Sequence, residues 1–478
     1  MKLLFVASEI YPYVKTGGLG DVAGALPLAL KKEGVDIRLL LPGYPEILKN
    51  LTGVKILRKL PKFFGRDDAK IITGKLSNGL TSYVLDCPGF YDRTGPYGDE
   101  KGKDWKDNHL RFAALGRTAA DLHLYDENWQ ADIIHGHDWQ CGMMPTFLSM
   151  RGKDRPLTVM TIHNIAYQGL FPGQIVDEIN LPGCAYQTGG AEFYGKVGFL
   201  KAGIHYADVV TTVSPTYAVE IQGEEFGCGL QGLLRERSND LTGIINGIDE
   251  DIWNPKTDKN FFFQYDSADL KSKTKNREAL LQEFDLSVEK TMPVFGVVSR
   301  LVSQKGLDLL LAAMPEFIKM GAGFVILGSG DKVLEKEFQA LATAWPAQVA
   351  VSTQYDEALA HRIIAGADAV IIPSRFEPCG LVQLYGLRYG TLPIVRKTGG
   401  LADTVIDNGS KSTGFVFDNI SVDALSDAMA RACSLFRSQS HWKKRQENAM
   451  AKDFGWKASA LQYIALYEKL LKSGPKLR

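Results

Sequence analysis

Two basic residues five positions apart, Arg300 and Lys305 in "SRLVSQKG", follow an apolar run and precede a helical pattern. At a strand's carboxyl end such a pair can converge on one anion, because a guanidinium grips oxygens with a planar fork while an ammonium acts as a point charge. A diphosphate fits both. Lys15 in "YPYVKTGGLGDV" repeats the device with Gly17 and Gly18 beside it, and backbone amides of a glycine-rich strand-to-helix turn hold phosphate. Here the lysine precedes its glycines, whereas a Walker A loop places it after them, so this loop is not built to wrap a triphosphate.

Glu377 in "SRFEPCGLVQLYGLRYG" sits in a loop just before a helix that "CGL" opens, and Pro378 fixes the turn. Amides of Gly380 and Leu381 at that helix start can hold a phosphate. Glu377 would repel it, and so faces a sugar hydroxyl or merely caps the helix. "HGHDWQ" (135–140) lacks the Asp and final His that an HxHxDH zinc pattern needs, having Trp139 and Gln140 instead. Asp138, and His163 in "TIHN", are then polar groups at neighbouring strand ends that can meet sugar hydroxyls. "DED" (249–251) matches a DxD metal signature, but it lies among Asn246, Gly247, Asn254 and Pro255, where turn-making accounts for it. Tyr355 in "STQYDE" follows an apolar run, and both base stacking and packing are open to it.

These residues need a scaffold, and 478 residues point to two domains of roughly 200 each. Charged residues make up 23% and balance to zero, which excludes the basic footprint of a nucleic-acid binder. The six cysteines form no CxxC pair and read as reduced thiols of a cytoplasmic protein. The apolar N-terminal run breaks at Ser8-Glu9, as a strand and not a signal peptide would. Nothing approaches the ~20 apolar residues of a membrane span.

Short β-branched runs alternate with helical patterns: "LLFVAS" (3–8), "DIRLLLP" (36–42), "SYVLD" (82–86), "DIIHGH" (132–137), "TVMTIHN" (158–164) and "DVVTTVS" (208–214). They are apolar on both faces, as strands buried between two helix layers must be. The series restarts with "PVFGVVS" and continues through "GFVILGSGD", "QVAVST", "DAVIIPS", "LPIVRKTGG" and "TGFVFD". The expected class is α/β, with two doubly wound domains, 1–243 and 244–455, presenting the carboxyl ends of their sheets to one cleft. Residues 456–478 hold an amphipathic helix with a stripe of Trp456, Leu461, Ile464, Tyr467 and Leu471, which is expected to pack back on the first domain.

Taken together, "KTGGLGDV", "HGHDWQ", "TIHNIAYQG", "INGIDEDIWNP", "SRLVSQKGLDLL", "SRFEPCGLVQLYGLRYG" and "KTGGLADTV" resemble the bacterial glycogen synthases and plant starch synthases, in order and over nearly the whole chain. The resemblance implies the GT-B architecture and retaining transfer of glucose from ADP-glucose to the non-reducing end of glycogen or a malto-oligosaccharide, with no metal or other cofactor. It places Lys15, Gly17, Gly18, Asp21, Tyr355, Gly380 and Leu381 at the donor. It gives Glu377, Arg300, Lys305 and His163 catalytic roles, and sets Asp138, Asn164 and Asn246 on the sugar and acceptor side. The wider retaining class often carries Glu-x7-Glu, whose second position is Tyr385 here, and the glycogen and starch synthases resemble this chain in lacking that carboxylate. A UDP-glucose-dependent transferase and a non-catalytic glucan-binding protein are the alternatives. A dinucleotide-dependent oxidoreductase would want GxGxxG after the first strand, where this chain has "GGLG".

Overall fold

The computed structural model describes residues 1–354 and 356–476, and these form two units. One comprises Met1–Gly247 with Trp456–Arg478, the other Ile248–Gly455. The boundary falls four residues beyond the expected 243, because Ile244 donates its N–H to Thr212 O and lies in the first core.

The first unit is built on a nine-stranded sheet whose first seven strands are β1 (Lys2–Val6), β2 (Asp36–Pro42), β3 (Thr52–Lys59), β4 (Lys70–Lys75), β5 (Thr81–Asp86), β6 (Ile133–His137) and β7 (Leu157–Ile162). A small separate sheet contains β8 (Leu170–Pro172), β9 (Glu192–Phe193) and β10 (Lys196–Gly198), and the main sheet then adds β11 (Val209–Thr212) and β12 (Leu241–Gly243). The order is β12-β11-β7-β6-β1-β2-β5-β4-β3. From β12 to β5 the pairings are parallel, while β4 pairs antiparallel with both β5 and β3. The central strands β6 and β7 are buried at every residue, as a sheet covered on both faces requires. β3 is exposed along nearly its whole length, a lysine-bearing edge with no apolar run to announce it.

The helix Gly18–Lys32 buries Val22, Leu26 and Leu30 and packs against the helix Trp456–Ser473. That last helix turns a different face inward from the one its leucines mark. Trp456, Ala460, Tyr463, Tyr467 and Leu470 are buried at i, i+4, i+7, i+11 and i+14, whereas Leu461 and Leu471 face solvent. Tyr467 is drawn in because its hydroxyl has a partner below, His135 Nδ1 at 2.8 Å. The chain beyond the helix is clamped too. Asp208, fully buried, takes two hydrogen bonds from Arg155 and one from the N–H of Lys476.

In the second unit the six-stranded parallel sheet runs β15-β14-β13-β16-β17-β18, from β13 (Val294–Val298), β14 (Gly323–Leu327), β15 (Val349–Ser352), β16 (Ala369–Ile372), β17 (Leu392–Arg396) and β18 (Phe415–Phe417). The order reverses beside β13, the topological switch point at which such sheets bind ligands. Ile248 and Phe454 close the unit at its ends, through Ile248 N–H to Phe454 O at 2.8 Å. The segment after Ile248 is anchored by stacked rings: Trp253 lies 3.7 Å from His361 on one side and 3.7 Å from Tyr385 on the other. Buried Asp258 binds His361 Nδ1 at 2.5 Å and Tyr389 OH at 2.6 Å.

Candidate active site

Both clusters of proposed site residues lie at carboxyl ends of strands, and each is assembled inside its own unit. In the second unit the loops after β13 and β16 are laced together. Gln304 donates to Phe376 O at 3.1 Å, Arg375 N donates to Gln304 O at 2.8 Å, and Arg375 reaches back to Ser303 O. Arg375 also holds Asp308, on the helix Leu307–Lys319, through two bonds of 2.7 Å. This lacing brings Lys305 and Glu377 into an ion pair of 2.5 Å although 72 residues separate them. Glu377 Oε2 also accepts from Ser374 Oγ at 2.9 Å, while Oε1 has no partner among the described residues. Gly306 permits the turn after Lys305. It is left-handed, with φ 63°, and a Cβ there would meet Pro373 O at 2.1 Å.

Gly380 and Leu381 line the same cavity as Lys305, Glu377, Ser374 and Gln383, a space of about 50 Å³. Gln383, buried, steadies its rim by donating to Cys379 O and Gly380 O. Arg300 is exposed, and among the described residues its guanidinium makes no ion pair or side-chain hydrogen bond. Tyr355 lies outside the described residues. Asp249 of "DED" accepts the N–H groups of Asp251 and Ile252, and Glu250 pairs with Arg388 at 3.5 Å. Among the described residues no group of three or more His, Cys, Asp and Glu is set to hold a metal ion.

In the first unit, exposed Lys15 pairs with Asp21 at 2.8 Å. The loop is held from beneath by Glu9, only 3% exposed, which accepts from Thr16 N and Thr16 Oγ1 at 2.6 Å each and from Gly17 N at 3.4 Å. Glu9 thereby ties down the turn just ahead of the helix Gly18–Lys32, where Gly17 has no side chain to cap it. A Cβ on Gly17 or Gly18 would meet nothing within 4 Å. The glycines this turn needs for its own packing are Gly20 and Gly24, against Lys15 and Tyr11.

Across β6 and β7, Asp138 and His163 come side by side, His163 N–H donating to Asp138 Oδ1 at 2.7 Å. Asp138 carries a left-handed φ of 58°, costly for a residue with a side chain. Burial pushes its carboxyl up to about 7 against the hydrogen bonds from His163 and Asn164. His163 Nε2 lies 2.9 Å from His137 Nδ1, and burial presses the His163 imidazole down to about 3. Asn164 Oδ1 caps its own turn at Ala166 N, and buried Asn246 Oδ1 has no hydrogen-bond partner among the described residues.

Sequence reasoning passed over Glu9, Ser374, Gln383 and His137. Serine and glutamine beside the glutamate carry no periodic signal, and Glu9 stood only as the residue ending a strand. The second "KTGG" did signal. Cβ atoms at Gly399 and Gly400 would lie 2.0 Å from Glu377 O and 2.2 Å from Cys379 O, so those glycines let the two loops touch.

Comparison with known proteins identifies the family. Residues 2–236 match the model of the starch synthase catalytic domain, and 280–449 match that of glycosyl transferases group 1. Glycogen synthase 2 of Bradyrhizobium diazoefficiens is 48% identical over 99% of this chain and 98% of its own. Glycogen synthase of Yersinia enterocolitica is 47% identical over 98% and 100%. The catalytic domain of starch synthase IV from Arabidopsis thaliana, solved bound to ADP and acarbose, shares 33% identity with a TM-score of 0.89, covering 98% of this chain and 99% of that one. Identity of this order over the full length of each relative means that the chain belongs to the family of bacterial glycogen synthases and starch synthases, and is a glycosyltransferase.

Proposed function

We propose that the protein transfers glucose from ADP-glucose to the non-reducing end of an α-1,4-glucan with retention of configuration, releasing ADP. The observation that carries this reading is the Lys305–Glu377 pair of 2.5 Å, set in one cavity with Gly380 and Leu381, in a chain of this family. In this reading Lys305 and unpaired Arg300 take the diphosphate, and amides at the start of the helix Val382–Tyr389 share its charge. Lys15 adds a cation to the same donor, with Gly17 and Gly18 leaving it room. Asp21 holds Lys15 in place. Glu377 spends Oε2 on Lys305 and Ser374, so Oε1 orients a glucose hydroxyl. His163, Asp138, Asn164 and Asn246 contact sugar hydroxyls.

Reaction breaks the anomeric C–O bond, whose electron pair passes to the ADP β-phosphate while positive character builds on the sugar. The acceptor hydroxyl attacks from the face that ADP leaves, and its proton passes to the departing phosphate oxygen. Glu377 is given no nucleophilic role in this reading, since Oε2 is taken by Lys305 and Ser374 and Oε1 by a glucose hydroxyl. The test is to incubate chelator-treated protein with labelled ADP-glucose and glycogen. ADP release with new α-1,4 linkages is expected, and preferential use of UDP-glucose or binding of glucan without turnover would overturn the reading.

A further inference from the structure

The histidine layer at the ends of β6 and β7 contains a residue to which the proposed reaction gives no role. His137 is fully buried, and the rings of Phe5 and His135 both pack on its own, each 4.1 Å away between centroids. His135 is held in turn by Tyr467 and Thr161. Its Nδ1 meets His163 Nε2 at 2.9 Å, and its Nε2 is buried without a hydrogen-bond partner among the described residues.

Burial keeps both imidazoles neutral, so one proton occupies the bond between them. Were His163 the donor, the remaining proton of His137 would sit on Nε2 as an orphaned buried N–H. Were His137 the donor, Nε2 would be a bare lone pair against aromatic rings. Unpaired acceptors are tolerated in protein interiors more readily than unpaired N–H groups. The proton of His163 then lies on Nδ1, which has no hydrogen-bond partner among the described residues, on a side chain that is only partly buried.

We propose that His137 is a positioning residue that holds His163 as the Nδ1–H tautomer, so that His163 offers the sugar a hydrogen-bond donor and not a base. The proposal rests on the assignment of His163 to the sugar site. Nitrogen-15 NMR of histidine-labelled protein reads the tautomer directly, with the His163 signals identified by their loss in His163→Gln. We expect the proton on Nδ1 in the unaltered protein. His137→Phe lets both tautomers populate and lowers kcat/KM about tenfold, the order of one misdirected hydrogen bond. ADP affinity, read by calorimetry, stays unchanged. His137→Asn, whose amide N–H takes the place of Nδ1–H, restores most of the rate. A His163 proton on Nε2 in the unaltered protein, or full activity in His137→Phe, overturns the proposal. His163→Ala separates the two failures: full activity there removes His163 from the sugar site, whatever tautomer the spectrum shows.

Discussion

Replacing Lys305 by alanine perturbs one contact with two separable consequences. Its ammonium lies 2.5 Å from Glu377 Oε2, with 19% of the lysine side chain and 8% of the glutamate side chain exposed. Without it Glu377 keeps only Ser374 Oγ at Oε2. Breaking a fully buried pair costs about 3–5 kcal/mol, and the partial exposure and surviving hydroxyl bring this to about 2 kcal/mol. For a unit the size of residues 248–455, that is a fall of roughly 4–8 °C in Tm. Lys305→Met combined with Glu377→Gln recovers most of this loss, since no charge is then stranded. The rate responds differently. A fixed cation on a developing phosphate charge is worth about 3 kcal/mol, so kcat/KM falls roughly 150-fold and the double substitution does not restore it. Calorimetry gives the first quantity and a coupled assay of ADP release at saturating glycogen the second. Turnover within threefold of the unaltered enzyme in Lys305→Ala would refute the reasoning.

Histidines of the two units respond oppositely to pH. Burial alone would lower the His361 imidazole, but its hydrogen bonds to Asp258 and Glu357 prevail and raise it. The contribution is therefore complete below the unfolded value of about 6.5 and is lost as pH rises through the folded one. Urea unfolding of the second unit at a series of pH values should show this loss, and His361→Gln should flatten it. His135 is pressed by burial down to about 3, and His137 well below its ordinary value. Protonation of the unfolded chain thus destabilises the first unit as pH falls below about 6.5, by ~1.4 kcal/mol per pH unit for each, measurable by the same titration. Gly17→Ala adds a Cβ with nothing within 4 Å, at an extended φ of −163°. Its Tm should be unaltered while KM for ADP-glucose rises several-fold. Gly400→Ala drives a Cβ to 2.2 Å from Cys379 O, and both Tm and activity should fall.

The parallel strands were legible because burial on both faces forces unbroken apolar runs, as in "LLFV" and "GFVIL". The edge strand β3 was not, since "TGVKILRK" meets solvent and its lysines and arginine read as loop. The last helix shows the limit of reading leucines as core. Its buried face is chosen by tyrosines, one of which satisfies a histidine beneath, and hydroxyl pairing has no periodicity. The two "KTGG" segments are the sharpest instance. In the first, side chains at the glycines would project into open space, while in the second they would strike the backbone beside Glu377. Identical residues thus stand in two steric settings, and only the tertiary neighbour distinguishes them. Lys305 and Glu377 were each visible in sequence, but their pairing was not, because the loops that join them are 72 residues apart.

The division of the chain makes the second unit an insertion within the first. Its ends meet each other, and Gly247 abuts the backbone of Trp456. During synthesis the inserted half is therefore complete at Gly455, while the half that emerges first from the ribosome still lacks the helix covering its histidines. The usual amino-terminal-first order of maturation is inverted. Nascent chains halted before Trp456 should carry a protease-resistant second half attached to a first half that is still open.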